Sequence, residues 1–334
     1  MGRSDIAVVV IGRNEAKRLE RCLRSIGRHR TIYVDSGSSD GSPDIARSVG
    51  VEVIELDRAG GFTAARGRNA GIERLIADSD IGFIQVLDGD CELDPTWLAT
   101  AAAALRADDG LGAVFGRLRE ADPDASIYNW MCDVEWAVEP GPATVFGGDA
   151  MLRAEAVRSA GLYRPTMIAG EDPEYAIRMR ASGWRIAALE APMAIHDAAI
   201  YRFGQWWRRT VRSGHAFAEL VRLHPRSPLH DFARSYRRIL FWAGAVPLVA
   251  VVGLLLARFA DRRWALLTLA MLLLVFAQWL RVGIRESRGH PAAKAFAFAF
   301  FLAVGKYAEL IGLIRFHVDR LRGVRARLIE YKPA

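Results

Sequence analysis

The sequence predicts an α/β domain with a mainly parallel sheet flanked by helices, followed by C-terminal membrane helices. Three observations carry this prediction. Short β-branched apolar runs alternate with segments of helical periodicity through residues 1–200. Two carboxylates, Asp88 and Asp90, follow the apolar run 81–87, and the C-terminal edge of a parallel sheet is where α/β proteins bind ligands. Beyond residue 238 come long segments almost free of charge, of a length that suits a bilayer.

Residues 6–11 read as a buried strand, and 14–26 as a helix with Leu19, Cys22, Leu23 and Ile26 on one face. A second strand at 31–34 runs into the Asp, Ser and Gly-rich turn 35–42, then a short helix at 43–49 and a third strand at 51–56. Gly60-Gly61 opens a loop into the helix 64–77, and 81–87 is the fourth strand. Strands alternating with helices imply parallel pairing through right-handed crossovers. An Ala-rich helix is expected at 95–106 and a strand at 113–117. Residues 120–145, rich in aromatic and turn residues, are expected to shape a pocket. Helices are expected at 150–160 and 174–182, and an edge strand at 185–191. There is no internal repeat and no low-complexity tract.

Residues 239–257 carry no charge, and 264–280 are similarly apolar. The short connection holds Arg258, Arg262 and Arg263, so the two segments read as a transmembrane hairpin. A third segment, 295–314, is interrupted by Lys306 and Glu309, three apart on one helical face and able to pair. The tail 315–334 holds Arg315, Arg320, Arg322, Arg325, Arg327 and Lys332. The positive-inside rule keeps such a tail in the cytoplasm, which favours two spans and an interfacial third segment. The arginines at 258–263 pull the other way. The stretch 201–238, with Trp206, Trp207, Phe217, Arg208, Arg212, Arg222 and Arg237, reads as basic, aromatic and interfacial.

The chain has 334 residues, 45 Lys and Arg against 38 Asp and Glu, and a formal net charge of +7. That length allows one large domain or two ordinary ones. The basic excess sits after Tyr201 beside apolar segments, which points to a membrane face and to no nucleic acid. Cys22, Cys91 and Cys132 show no metal-ligand spacing and no disulfide framework, as in a reducing compartment. The start Met1-Gly2-Arg3-Ser4-Asp5 carries no signal-peptide pattern, so the first domain is expected in the cytoplasm at an inner membrane. Nothing in the sequence sets the oligomeric state.

The chemistry gathers at strand ends. Gly12-Arg13-Asn14-Glu15 ends the first strand, the 35–42 turn the second, and Asp88-Gly89-Asp90 the fourth. They should converge on one crevice. Hard carboxylates suit Mg²⁺ or Mn²⁺, and a second acidic cluster, Gly170-Glu171-Asp172, lies in a turn-like context. The 35–42 turn suits nucleotide contacts or a helix N-cap. Arg66, Arg68 and Asn69 place two cations near that edge, as phosphate ligands or as a solvated helix face.

Taken in order, "VVIGRNE", "VDSGSSDGS", "ARGRNAGI", "VLDGD", "FGGDAMLR" and "GEDPEYAIRMRASGW" resemble family 2 glycosyltransferases over roughly residues 5–210. The resemblance implies a GT-A fold, a nucleotide-diphosphate sugar donor (UDP favoured, GDP and dTDP the alternatives), a divalent metal and inversion at the anomeric carbon. Residue by residue, it implies Asp90 as metal ligand and Asp88 as a contact to ribose or an aid to the metal. It implies Asp172 as catalytic base with Glu171 beside it, and His196 as a second metal ligand or an ordinary strand-end histidine. Asn14, Glu15 and Asp35 fall at nucleoside-binding positions, and Arg66 and Asn69 on the loop that approaches the diphosphate.

Two departures stand out. Ser36 replaces the second of two adjacent acids, and Gln205-Trp206-Trp207-Arg208-Arg209 keeps the Gln and Arg of the processive members' motif but ends in Arg. The expected activity is therefore a membrane hexosyltransferase acting on a lipid-linked or glycan acceptor, in polysaccharide or glycolipid assembly. A polyprenyl-phosphate hexosyltransferase and a catalytically silent nucleotide-binding scaffold are the alternatives.

Overall fold

The computed structural model describes residues 5–57, 61–225, 230–324 and 328–330. The expectations for Met1 to Ser4, Gly60, Arg325, Arg327 and Lys332 lie outside the described residues. The main boundary between two compact units falls between Tyr201 and Arg202.

The first unit is built on a nine-stranded sheet. Its strands are β1 (Ile6–Gly12), β2 (Arg30–Asp35), β3 (Glu52–Glu55), β4 (Phe83–Asp88), β5 (Cys91–Leu93), β6 (Leu111–Glu120), β7 (Gly141–Ala143), β8 (Ala150–Arg153) and β9 (Arg185–His196). The order is β3-β2-β1-β4-β8-β6-β9-β5, with β7 also on β9. β3, β2, β1 and β4 are parallel. β8 enters antiparallel between β4 and β6, while β6 and β9 again pair parallel, so the sheet is mixed, with the expected parallel pattern interrupted at β8. The intervening helices are α1 (Ala16–Ser25), α2 (Ser42–Ser48), α3 (Ala64–Ile76), α4 (Trp97–Ala107), α5 (Ile127–Glu135), α6 (Ala154–Ala160) and α7 (Glu171–Ala181).

The buried centre is β1 with β4, whose side chains Val8, Val10, Ile84 and Val86 are fully enclosed. Both strands are buried on their two faces, which is why they read as continuous apolar runs. Helix α3 lies close on β1 because glycines face the sheet. A Cβ on Gly71 would come within 2.4 Å of Val9, and one on Gly67 within 3.1 Å of Ile11. This approach fixes which face of α3 meets the strand ends.

Two expectations need correction. Residues 150–160 are not one helix but β8 followed by α6, because Ala150 to Arg153 pair with β4 and β6. The strand expected at 185–191 runs on to His196 and is interior, with β6 on one side and β5 and β7 on the other. Residues 120–145 contain α5, capped by Ser126 accepting from the Asn129 N–H, and the short β7.

The second unit is helical: α8 (Phe203–Leu223), α9 (His230–Ile239), a π-helical segment (Leu240–Ala245), α10 (Val246–Phe259), a 3₁₀ turn (Arg262–Trp264), α11 (Ala265–Glu286) and α12 (Ala292–Leu321). Among the described residues, Phe232–Phe259, Arg262–Glu286 and Ala292–Leu321 are long and apolar enough to cross a membrane. Gly253 lets α10 touch α11, where a Cβ would meet Thr268 Oγ1 at 2.8 Å, and that hydroxyl donates to the Ala250 carbonyl. Helices α8 and α12 pack backbone against backbone. A Cβ on Gly214 would fall 2.0 Å from the Glu309 carbonyl oxygen, and one on Gly312 1.9 Å from that of Val211. Small residues permit this approach, as in helix pairs within membranes. Lys306 and Glu309 pair as expected, Nζ to Oε2 at 2.6 Å.

Candidate active site

The parallel register brings the ends of β1, β2 and β4 together. Gly12 lies beside Asp35, and Ile11 beside Asp88. The loop after β1 turns sharply. Asn14 and Ala16 adopt left-handed conformations, φ 57° and 39°, and the β2 turn holds them. The Asn14 N–H donates to Ser38 Oγ, its side-chain Oδ1 accepts from the Ser39 N–H at 2.8 Å, and Ser42 Oγ accepts from Ala16 N. Asp35 is buried, with both oxygens occupied by Tyr33 Oη, Ser38 Oγ and the N–H groups of Gly37 and Ser38. Asn14 and Asp35 thus shape the two loops from within. Burial, with Asp35 close by, pushes the Tyr33 hydroxyl well above its usual pKa.

The centre of the site is Arg68, 2% exposed. Its Nη1 donates to Glu171 Oε1 at 2.9 Å and its Nη2 to Asp88 Oδ1 at 2.9 Å. Asp172 Oδ1 lies 3.2 Å from Nη1, an ion pair without hydrogen-bond alignment. One planar fork therefore joins the end of β4 to the start of α7. Gly170 opens α7 in a left-handed conformation, and Glu171, Asp172 and Glu174 fill its first turn, where the helix dipole favours anions. Burial drives the Asp172 carboxyl well above the usual range; Arg68 opposes the shift and Glu171 adds to it. Gly148 leaves room for the fork, since a Cβ there would meet Arg68 Nη2 at 2.7 Å and Asp88 Oδ2 at 2.9 Å.

The two residues expected near the diphosphate, Arg66 and Asn69, have partners within the chain. Arg66 and Arg68 are two apart, about 200° around a helix, so only one can face the sheet edge. Arg66 instead donates to the carbonyls of Asp57 and Gly61. Asn69 clamps the Tyr163 backbone at both ends of its amide, 2.8 and 2.9 Å. Of the two parts the sequence offers Arg68, phosphate ligand or solvated helix face, the second is corrected: the side chain is buried and paired with Asp88, Glu171 and Asp172.

Asp90 and His196 meet through strand pairing. β5 runs antiparallel to β9 with Cys91 opposite His196, and His196 Nε2 lies 3.4 Å from Asp90 Oδ1. Trp136 packs edge-on against the imidazole, 4.5 Å between centroids. Among the described residues, the ligand atoms of Asp90, Cys91 and His196 fall within 4.8 Å of one another. The Cys91 thiol is engaged elsewhere: its Sγ donates to Asp149 Oδ2, and burial with Asp149 nearby raises its pKa well above the usual. The remaining carboxylate and imidazole, with Asp88 alongside, fit a divalent cation that keeps open positions.

Asp149 supports this edge, and sequence alone does not single it out. It precedes the antiparallel β8, so its Oδ1 accepts from the Asp88 N–H at 2.8 Å. Its only sequence signal is the acid in "GGDAM". Burial, and then Asp88, raise its pKa to about 7. A carboxyl in the unfolded chain ionises near pH 4. The stability linked to protonated Asp149 is therefore full below about pH 4 and is lost as pH rises through about 7. In metal-free protein, melting temperature should fall between pH 5 and 8, and Asp149→Asn should shrink that fall. Identical falls in both proteins would contradict the assignment.

Residues 7–140 match the family described as Glycosyl transferase family 2. The chain is 24% identical over 226 residues to Glycosyltransferase AglE of Haloferax volcanii, covering 63% of this chain and 71% of that protein. It is 26% identical over 235 residues to the Pre-mycofactocin glycosyltransferase of Mycobacterium tuberculosis, covering 66% of this chain and 48% of that protein. In fold it resembles the mannosyltransferase PcManGT of Pyrobaculum calidifontis, solved with GDP-Man and Mn²⁺. There the TM-score is 0.52 at 18% identity, over 96% of this chain and 88% of that one.

Proposed function

The chain is a family 2 glycosyltransferase, and from that premise we propose that it moves a hexose from a nucleotide-diphosphate sugar to a lipid-linked or glycan acceptor at the membrane. The observation that carries this reading is the meeting of two acidic sets at one sheet edge. Asp88 ends β4 and Asp90 follows in the turn to β5, Glu171 and Asp172 begin α7, and Arg68 joins Asp88 to that start. Catalysis needs the donor's leaving group and the acceptor's hydroxyl side by side, and this edge offers a group for each.

Asp90 and His196 would hold the divalent cation, Mg²⁺ or Mn²⁺, with Asp88 turned toward the ribose. When bound, the cation supplies Lewis-acid neutralisation of the diphosphate. The Pyrobaculum mannosyltransferase, described with GDP-Man and Mn²⁺, supports a metal and a nucleotide-sugar donor. UDP, GDP and dTDP all remain candidates for the nucleotide. The loops held by Asn14 and Asp35 form the nucleoside's seat, with Glu15 beside them.

Asp172 acts as the base. Its carboxylate takes the acceptor hydroxyl proton as that oxygen bonds to the anomeric carbon. The bond from that carbon to the diphosphate breaks from the opposite face, and the nucleotide leaves with the electron pair, inverting the centre. Burial that raises the Asp172 pKa makes it a stronger base than an exposed aspartate. Glu171 accepts from Arg68 and holds the guanidinium in place, so Asp172 is free to change protonation while its neighbours stay fixed.

Exposed arginines beside the apolar helices, among them Arg237 and Arg238, support a cytoplasmic face at the inner membrane and an acceptor carried by lipid. The test is transfer by membranes containing the chain, supplied with radiolabelled UDP-, GDP- or dTDP-hexose and Mn²⁺, followed by solvent extraction. One donor should put label into the lipid phase. Label confined to water-soluble products would contradict a lipid-linked acceptor.

A further inference from the structure

Helix α12 is long and apolar enough to cross a bilayer, yet its neighbours sit at one end of the hairpin beside it. Helices α10 and α11 join through the Arg262–Trp264 turn and touch at Gly253 and Thr268, near that turn. Their other ends are the entry of the first apolar stretch, after Arg237 and Arg238, and the exit of the second, at Arg281 and Arg285. A hairpin that crosses and returns has both of these ends on one side of the membrane.

α12 touches both of them. Near its start, Phe296 packs on Trp279, 5.0 Å between centroids, and its carbonyl accepts from Trp279 Nε1 at 3.2 Å. A Cβ on Gly283 would meet the same Phe296 ring at 2.4 Å. Near its end, Leu313 and Phe316 cluster with Ile239, and His317 Nε2 lies 3.1 Å from Tyr236 Oη. From Phe296 to Leu313 is about 25 Å of helix at 1.5 Å per residue. Upright, that length would carry Leu313 across most of a hydrocarbon core of about 30 Å, to the turn of the hairpin. Leu313 instead meets Ile239, at the end opposite the turn.

The helix surface agrees. Phe300, Tyr307, Ile311 and Ile314 form one exposed apolar stripe, spaced by three, four and seven residues as one helical face requires. Away from that stripe α12 packs largely on α8, through Gly305 beside Trp206, Gly312 on Val211 and Phe316 on His215, with Leu302 partly exposed. Arg315, Arg320 and Arg322 are exposed at its end, complementary to anionic headgroups. A helix with one main apolar stripe, a largely covered opposite face and basic flanks suits the plane of the interface.

We propose that α12 lies flat in the membrane interface, its stripe facing the acyl chains, and that the chain crosses the bilayer twice. The segments on either side of α12 then share one face of the membrane. This inference concerns the second unit alone and stands apart from the chemistry proposed above.

Single cysteines in the full chain test it. Cys22, Cys91 and Cys132 are buried, and the parent protein supplies the blank. Ala260→Cys, Gly289→Cys and Leu321→Cys are treated with an impermeant maleimide on intact cells and on inverted vesicles. Residues 289 and 321 should label from one side and 260 from the other. Labelling of 321 from the same side as 260, or of 260 from the same side as 289, overturns the proposal. Nitroxides at Tyr307→Cys and Leu272→Cys give depth: the first should report the boundary between headgroups and acyl chains and the second the hydrocarbon interior. Equal depth overturns it.

Discussion

Asp172→Asn lowers transfer by on the order of 10²–10⁴-fold, the usual cost of losing a positioned general base, while nucleotide binding stays intact. Asn keeps the shape of the side chain and its place in the first turn of α7. Arg68 keeps Glu171 and Asp88 as hydrogen-bond partners, so the site stays assembled. What goes is the carboxylate 3.2 Å from Arg68 Nη1, raised in pKa by burial, and with it the proposed proton acceptor. Steady-state transfer beside a nucleotide titration separates the two effects. A variant with wild-type turnover would contradict Asp172 as base and favour an acceptor that is itself a phosphate anion, which needs no base.

Arg68→Met destabilises the first unit by about 3–5 kcal/mol, the usual cost of removing one partner from a buried ion pair. Methionine fills much of the volume, so packing is a minor part of the loss. The major part is electrostatic: Asp88, Glu171 and Asp172 would face each other with no cation between them. Arg68→Lys keeps the charge but loses the planar fork, because an ammonium cannot bond both β4 and α7 in the same geometry. It should fall between wild type and Met. Denaturant or thermal unfolding in detergent checks the order. A Met variant as stable as wild type would mean that the three carboxyls do not share the charge of Arg68.

The parallel half of the sheet is legible in the sequence because β1, β2 and β4 are buried on both faces and bounded by turn residues. β5 and β7 are three residues each, too short for any period to show. β8 is hidden because its apolar residues run directly into those of α6. Asp88, Asp90, Glu171 and Asp172 are readable because acids after an apolar strand or before a helix are conspicuous. Arg66 and Arg68 are harder to tell apart. Which of them faces inward depends on the glycines that seat α3 on β1, and that is a fact of packing. Asp149 is decided by antiparallel pairing between segments over 60 residues apart, which no local pattern displays. The meeting of Asp90 with His196 is likewise a matter of register between β5 and β9.

The central claim is that Asp90 and His196 hold a divalent cation for a nucleotide diphosphate. The most direct measurement is calorimetric titration of UDP, GDP, dTDP and CMP into purified protein, with and without Mn²⁺, repeated with Asp90→Ala. The account predicts that one diphosphate binds when Mn²⁺ is present, that the affinity drops sharply without it, and that Asp90→Ala removes the metal's effect. Equal binding with and without Mn²⁺, or no binding by the folded protein, would contradict it.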